Sequence, residues 1–496
     1  MPPACCKALL GTVLVLTGEG STMSLLNRLS EIVGPDHVSD GPAERYVYSF
    51  DMTENEPCRP AAVVMPVTVA EIQRILRLAN AERVPVVPFI TGQNVGGLTI
   101  PQVEGAIVID LKRMNRILDV DEEAMYAVIE PGVTFGHMKR YLDLHHPGLR
   151  YTYPLAPPFT SVMANALLQG LCDLSTRHGA MANFINGIEA VLPTGEVVRA
   201  GSCIMGDDNW FGRFPLPDLI GLFSGWQGMT GIVTKMAVQL WPKPLHVRYA
   251  ALFTVGEHDT TALLKRLVRT QVLDDADCMS ISLVKMLLGV PPPVEVFPDE
   301  PQYATLLTVS GNTQREVDAK FEVVEAIVDE AHMSEPRVNL IPWDAVSVLM
   351  GKQADSWVDF PSDAFKILTQ YDGLTWVGTY IHPARWGEAL EGGRRIVEKH
   401  GFELMAFLKP MNGMHYGEFK FIVRFPKDPD VVDRVRKCNS ELLDFALDLK
   451  AIPYKTPVWA AQRLLSKCHP GFVELLRRVK KALDPNGIMN PRRYSL

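Results

Sequence analysis

Between Ala62 and Ile129 the apolar positions switch between short unbroken runs and helical spacing. Ala62-Val63-Val64-Met65 is an unbroken run, the pattern of a strand covered on both faces. Pro66-Val67-Thr68 follows, with Thr68 placed to cap a helix, and Ile72, Ile75, Leu76 and Ala79 then share one helical face to about Arg83. A second run, Val86-Val87-Pro88-Phe89-Ile90, stops at Thr91-Gly92-Gln93-Asn94-Val95-Gly96-Gly97. Ala106–Ile109 and Ala124–Glu130 predict two further strands, and after Pro131-Gly132-Val133-Thr134 the residues Phe135, Met138 and Leu142 mark a helix. That order is an α/β arrangement. Ahead of it, Leu25, Leu26, Leu29 and Ile32 predict a helix.

Trp241-Pro242-Lys243-Pro244 breaks the pattern. From residue 246 to about 450, strands (Tyr249–Val255, Tyr303–Val309) alternate with helices (259–273 and Gln314–His332), and Pro291-Pro292-Pro293 marks an internal loop. Two later clusters carry polar groups. One is the strand Gly373–His382, with Thr379, Tyr380 and His382 at its tip; the other is Lys409–Arg424, in which Glu418, Lys420 and Arg424 alternate with apolar residues.

The glycine loop is the first candidate for chemistry. Without Cβ atoms, glycines let backbone N–H groups approach an anion closely, and a diphosphate is the natural guest. At 496 residues the chain is long enough for more than one domain. A formal charge of −8 and the lack of a basic stripe argue against nucleic acid as a partner. The cysteines stand at 5, 6, 58, 172, 203, 278, 438 and 468, and no pair has Cys-x-x-Cys spacing. Neither an iron–sulfur cluster nor a structural zinc is suggested, and the scatter fits reduced thiols in the cytoplasm. His145-His146, beside Pro147, points two imidazoles in different directions and is a poor metal site. The apolar stretch Ala8–Leu16 is too short to span a membrane; it reads as a signal-type core or, preferably, as the result of an upstream start with Met23 the initiator.

Taken in order, the glycine loop, Ile109–Asn115, Val128–Val133, Ser161–Gly170, Gly187–Glu196, Leu222–Lys235 and the tail Leu483–Pro491 resemble the vanillyl-alcohol-oxidase and para-cresol-methylhydroxylase flavoprotein superfamily. The resemblance spans about 60–240 and the last fifteen or so residues. It implies an α+β fold: an N-terminal extension (1–40), a two-lobed FAD-binding domain (41–245), an antiparallel-sheet cap over the substrate (246–450), and a segment (451–496) returning to the FAD half. It also implies FAD as cofactor and no metal. The FAD contacts it assigns are Pro88, Thr91, Gly92, Gln93, Asn94, Val95, Gly96 and Gly97, then Pro131, Gly132, Pro154, Ser161, Val162, Asn165 and Gly170, and finally Gly228, Gly231, Ile232, Val233 and Asn490.

In such a family the flavin accepts a hydride, and the protein holds the reacting carbon and manages the proton. His415, Tyr416, Lys420, Arg424, Tyr380 and His382 are the catalytic candidates. His415 serves as base or oxygen ligand, and Lys420 or Arg424 as counter-ion for an anionic substrate. The competing reading of the charged alternation is a solvated sheet face. The glycine loop has no tyrosine for a phenolate, and Leu168 stands where some relatives carry an acid; both weaken a para-substituted phenol as substrate. The expected activity is oxidation of an alcohol, a 2-hydroxy acid or a benzylic carbon, with oxygen, a carrier protein or a partner subunit taking the electrons. A homo-oligomer is possible for large flavoproteins of this type. The alternative is an electron-transfer flavoprotein subunit with an iron–sulfur partner, and a scaffold that has lost FAD is disfavoured by the intact loop.

Overall fold

The computed structural model describes residues 24–94, 96–291, 293–350 and 373–496. The Ala8–Leu16 segment, Met23, Val95 and Pro292 lie outside these residues. Three sheets organise what is described. The first holds β1 (Val38–Ser39), β2 (Ala62–Val64), β3 (Val86–Phe89) and β4 (Ile107–Asp110) in the order β1-β2-β4-β3; β4 runs parallel to both β2 and β3. Its crossover is the helix Val69–Glu82, which Thr68 caps in a reciprocal box with Glu71. Ile72, Ile75, Leu76 and Ala79 are fully buried against this sheet.

The second sheet is antiparallel. It comprises β5 (Ile117–Asp121), β6 (Tyr126–Ile129), β8 (Ile185–Val191), β9 (Val197–Gly201) and β10 (Ile232–Gln239), ordered β5-β6-β10-β8-β9, while β7 (Leu149–Arg150) pairs apart with β11 (Trp241–Pro242). β8 and β9 form a hairpin that takes in Gly187–Glu196, and helix Phe135–His145 packs its apolar side into the same core.

Eight strands build the third sheet: β12 (His246–Thr254), β13 (Asp275–Ser280), β14 (Tyr303–Gly311), β15 (Asn339–Pro342), β16 (Gly373–Ile381), β17 (Met405–Met411), β18 (Tyr416–Phe425) and β19 (Ile452–Pro453). Their order is β15-β12-β14-β13-β17-β18-β16-β19, antiparallel throughout. The period-two alternation gives the sheet two different faces. One face, with Leu252, Ala276, Leu307, Val377, Leu408 and Phe419, is covered by helices including Glu257–Arg269, Gln314–Ser334 and Trp386–Lys399. The other, with Met279, Phe407, Met411, Tyr416 and Tyr380, packs on Leu171 and Ala180 of the segment between β7 and β8. The charged alternation of β18 therefore lies inside the protein, with Glu418 at 0% exposure, and is not a solvated face. No helix among the described residues is long and apolar enough to cross a membrane.

Candidate functional site

Where the first two sheets meet, a cleft of about 1050 Å³ is lined by the end of β3, the glycine loop, residues 160–168, residues 223–233, Lys455 and Asn490. Among the described residues, no protein acceptor is found for the amides of Thr91, Gly92, Gln93 and Asn94. These four successive half-buried donors line the cleft and are open to an acceptor from outside the protein. The backbone requires glycine here: Gly92 has φ +70°, and Gly228 has φ +76° with its would-be Cβ only 2.5 Å from Pro88 Cγ. A cradle of free amides under a long, mostly apolar cleft fits the diphosphate and ring systems of FAD.

The loop is held from behind. The Asn94 side-chain oxygen accepts from the amides of Gly96 (3.1 Å) and Leu98 (2.9 Å). Arg493, fully buried, donates to the carbonyls of Gly97 (3.1 Å), Leu98 (2.7 Å) and Ile100 (3.0 Å). Burial pulls its guanidinium down to about 10. Nearby Asn490 donates to Gln227 O at 2.6 Å, and buried Lys480 donates to Met229 O, Met489 O and Asp484. The C-terminal segment thus locks both rims of the cleft.

A second chamber of about 750 Å³ opens against the first. Its walls come from Pro154–Ala156, Leu171, the helix Ile281–Leu287, and Leu374, Trp376, Phe407, Ile422 and Tyr454 of the third sheet. Asn165 and Lys455 line both cavities, and Lys455 Nζ donates to Asn165 Oδ1 at 2.7 Å. Lys420 also faces the chamber, 3.5 Å from the buried Glu418 carboxylate and 4.6 Å from the Phe407 ring centroid. Burial, with the Lys420 charge adding to it, lowers Lys455 to about 7, while burial raises Glu418 to about 7. Burial also lowers Lys420. An apolar room with one amine poised near neutrality and a second pulled below its ordinary range can hold an anionic or hydroxyl oxygen and move its proton.

The residues anticipated from sequence fall into three groups. Pro88, Thr91, Gly92, Gln93, Asn94, Asn165, Gly228, Gly231, Ile232, Val233 and Asn490 line the cleft. Others support it from outside. Gly97 offers its carbonyl to Arg493, Ser161 caps the helix Val162–Leu167 and donates to Pro131 O at 2.7 Å, and Gly170 leaves room for the Asn165 side chain. Gly96 packs on Lys455 O and Gly132 on Lys112 O, Val162 is core, and Pro154 belongs to the chamber.

Of the catalytic candidates, Lys420 alone lines the chamber. Tyr380 donates to Gln169 O at 2.6 Å, stacking on Tyr454 with ring centroids 5.0 Å apart, and the Tyr416 hydroxyl accepts from the Ala180 amide at 3.3 Å. Arg424 pairs with Glu403 at 2.9 Å. His415 is exposed on the β17–β18 turn, and His382 is exposed where it caps a short 3₁₀ turn; neither lines the cleft or the chamber. The reason is local: Asn412, Gly413 and Met414 all have positive φ (51°, 61° and 85°), and this tight turn swings His415 outward. Lys455 was not anticipated, although a lone lysine in the Pro-bounded segment Pro453-Tyr454-Lys455-Thr456-Pro457 was a signal.

Comparison with known proteins agrees with this geometry. The family described as "FAD binding domain" matches residues 60–201, and "FAD linked oxidases, C-terminal domain" matches 460–494. The glycolate oxidase subunit GlcD of Bacillus subtilis (strain 168) is 26% identical over 483 residues, 95% of this chain and 96% of that one. The flavoprotein subunit of 4-cresol dehydrogenase (hydroxylating) from Pseudomonas putida is 25% identical over 528 residues, 96% of each chain. A crystal structure of p-cresol methylhydroxylase with substrate bound superposes with a TM-score of 0.83 at 21% identity, covering 95% of this chain and 96% of that one.

Proposed function

Because the chain belongs to the para-cresol-methylhydroxylase-type flavoproteins and is an FAD-linked oxidoreductase, we propose that it is a dehydrogenase or oxidase acting on an alcohol, 2-hydroxy acid or benzylic carbon carried by an apolar body. The observation that carries this reading is the apolar chamber sharing Asn165 and Lys455 with the cofactor cleft. Bound there, FAD supplies a hydride acceptor. The chain's own residues do the rest. Leu283, Met286, Leu287, Trp376 and Phe407 exclude water and hold the substrate's body. Lys455, fixed by Asn165 at the junction, and Lys420 on the facing wall receive the substrate's oxygen and ease removal of its proton as a carbonyl forms.

A protein electron acceptor is a second reading, favoured by the exposed apolar side chains Met205, Phe211, Phe214, Leu216 and Leu219. Anaerobic absorbance scans of the FAD-loaded protein against benzylic alcohols, alkylphenols and 2-hydroxy acids test the proposal. Bleaching by one class, reversed or not by air, identifies substrate class and acceptor type; a flavin that no class bleaches overturns it in favour of the electron-transfer reading.

A further inference from the structure

A separate cavity of about 800 Å³ lies between the third sheet and the backbone that runs on from β7. Arg150, Tyr151 and Asp173 line one side of it, and Asp274, Asp275 and Asp277, at the start of β13, line the other. The oxidation proposed above makes no use of it. Lys409, 1% exposed, bonds Asp275 and Asp277 at 2.6 Å each. Those two carboxylates and Asp173 have oxygens within 4.8 Å of one another. The cation that bonds two of them is the chain's own lysine, so the cluster is not read as a metal site.

Asp274 is held differently. It is 3% exposed, and its Oδ1 pairs with Arg177 Nε at 3.0 Å, but its Oδ2 has no hydrogen-bond partner among the described residues. Two more groups of this lining share that condition: the hydroxyl of Tyr151, 1% exposed, and Nε of Arg150. Buried polar atoms are paired in the great majority of cases, so an acceptor, a donor and a hydroxyl left open around one cavity point to a polar guest. Its charge follows from the lining. Four aspartates outnumber Arg150 together with Arg177 and Lys409, which pair with them, so a positive guest is favoured. The rings of Tyr153 and Tyr249, with Leu174 and Met279, add apolar surface, and tyrosine faces attract ammonium groups. We propose that this cavity binds a small amino alcohol with an apolar body. Its ammonium donates to Asp274 Oδ2, and its hydroxyl meets Arg150 Nε and the Tyr151 hydroxyl. No bond is made or broken and no flavin takes part, so the site stands apart from the oxidation reading.

Leu155 walls both this cavity and the substrate chamber, so the test must tell the two rooms apart. Isothermal titration of the FAD-loaded protein with 2-amino-2-phenylethanol, near neutral pH, does so. Wild type binds this probe, and binds 2-phenylethanol, which lacks the ammonium, about tenfold or more weakly. D274N loses about tenfold or more in affinity for the amine. Y151F, which keeps the ring and its packing, loses about threefold to tenfold. K420M, in the chamber, stays within about twofold, whereas an amine lodged there would bind more tightly once the like charge is removed. No measurable binding, the result for a cavity that holds water alone, overturns the proposal. Equal affinity for amine and alcohol, wild-type affinity in either folded variant of the cavity, or tightening in K420M overturns it as well. If D274N fails to fold without its pairing to Arg177, Y151F and the two probes decide the matter.

Discussion

Arg493→Met attacks the cofactor cradle from behind without touching its lining. The guanidinium donates to three carbonyls of the glycine-loop exit, at 2.7 to 3.1 Å. Each bond from a charged donor contributes ~1.5–3 kcal/mol, or roughly 5–9 kcal/mol gross. Part of this is offset by the cost of burying the cation, which is evident in its fall to about 10; a net loss of about 3–5 kcal/mol is expected on removal. The loss falls on residues 97–100, while the sheets keep their cores. If about 3 kcal/mol of it goes into opening the cradle, the FAD dissociation constant rises about 100-fold. Titration of FAD into apoprotein, followed by quenching of flavin fluorescence, measures that constant, and thermal unfolding of the apoprotein runs alongside. Arg493→Lys, with one charge and fewer donors, falls between. An R493M protein that binds FAD within about threefold of wild type while its Tm drops would refute the reasoning, because the clamp would then be plain scaffolding.

Gly96→Val puts a side chain against Lys455 O, 3.1 Å from the Cβ position, so it should lower the FAD-to-protein absorbance ratio by displacing the 455–457 segment; full FAD content would show that this segment yields freely. His415→Ala should leave anaerobic flavin reduction within about twofold of wild type, the usual range for an exposed site, and a larger loss in rapid-mixing traces would bring the turn back into the site. Lys455→Met gives a stability test with a definite sign. Burial lowers Lys455 to about 7 from its ordinary 10.5, so between those values the unfolded chain binds the extra proton and wild-type stability rises with pH. The Tm of wild type relative to K455M should therefore be lowest at or below pH 7 and climb toward pH 10; parallel Tm profiles would contradict the burial argument.

The strands and helices of the first half were legible because each carries its own period. The Thr68 cap and the face Ile72, Ile75, Leu76, Ala79 need only local spacing, and the glycine loop shows its purpose in composition. Opposing residues across the chamber are a different matter. Lys455 and Asn165 are 290 positions apart, and only strand order and register bring them together. Alternation showed that Glu418 and Lys420 share a face of β18. It did not show that the face turns inward, since that depends on the segment between β7 and β8 packing over it. His415 stands exposed for a related reason: a polar residue beside a promising strand is reoriented by one turn whose backbone angles no period records.

The clamp from Arg493 to Gly97 ties together residues 396 positions apart. A ribosome therefore delivers the whole of the cradle's amide lining long before the group that holds it shut. During that interval the loop has its free donors but no brace, and a growing chain cannot retain the cofactor well. Flavin capture becomes a late event, coupled to docking of the C-terminal segment, and the binding energy is realised as closure of one very long loop. A single local opening of residues 490–493 reverses that closure, so loss of the flavin and release of this segment should be one event viewed from its two ends.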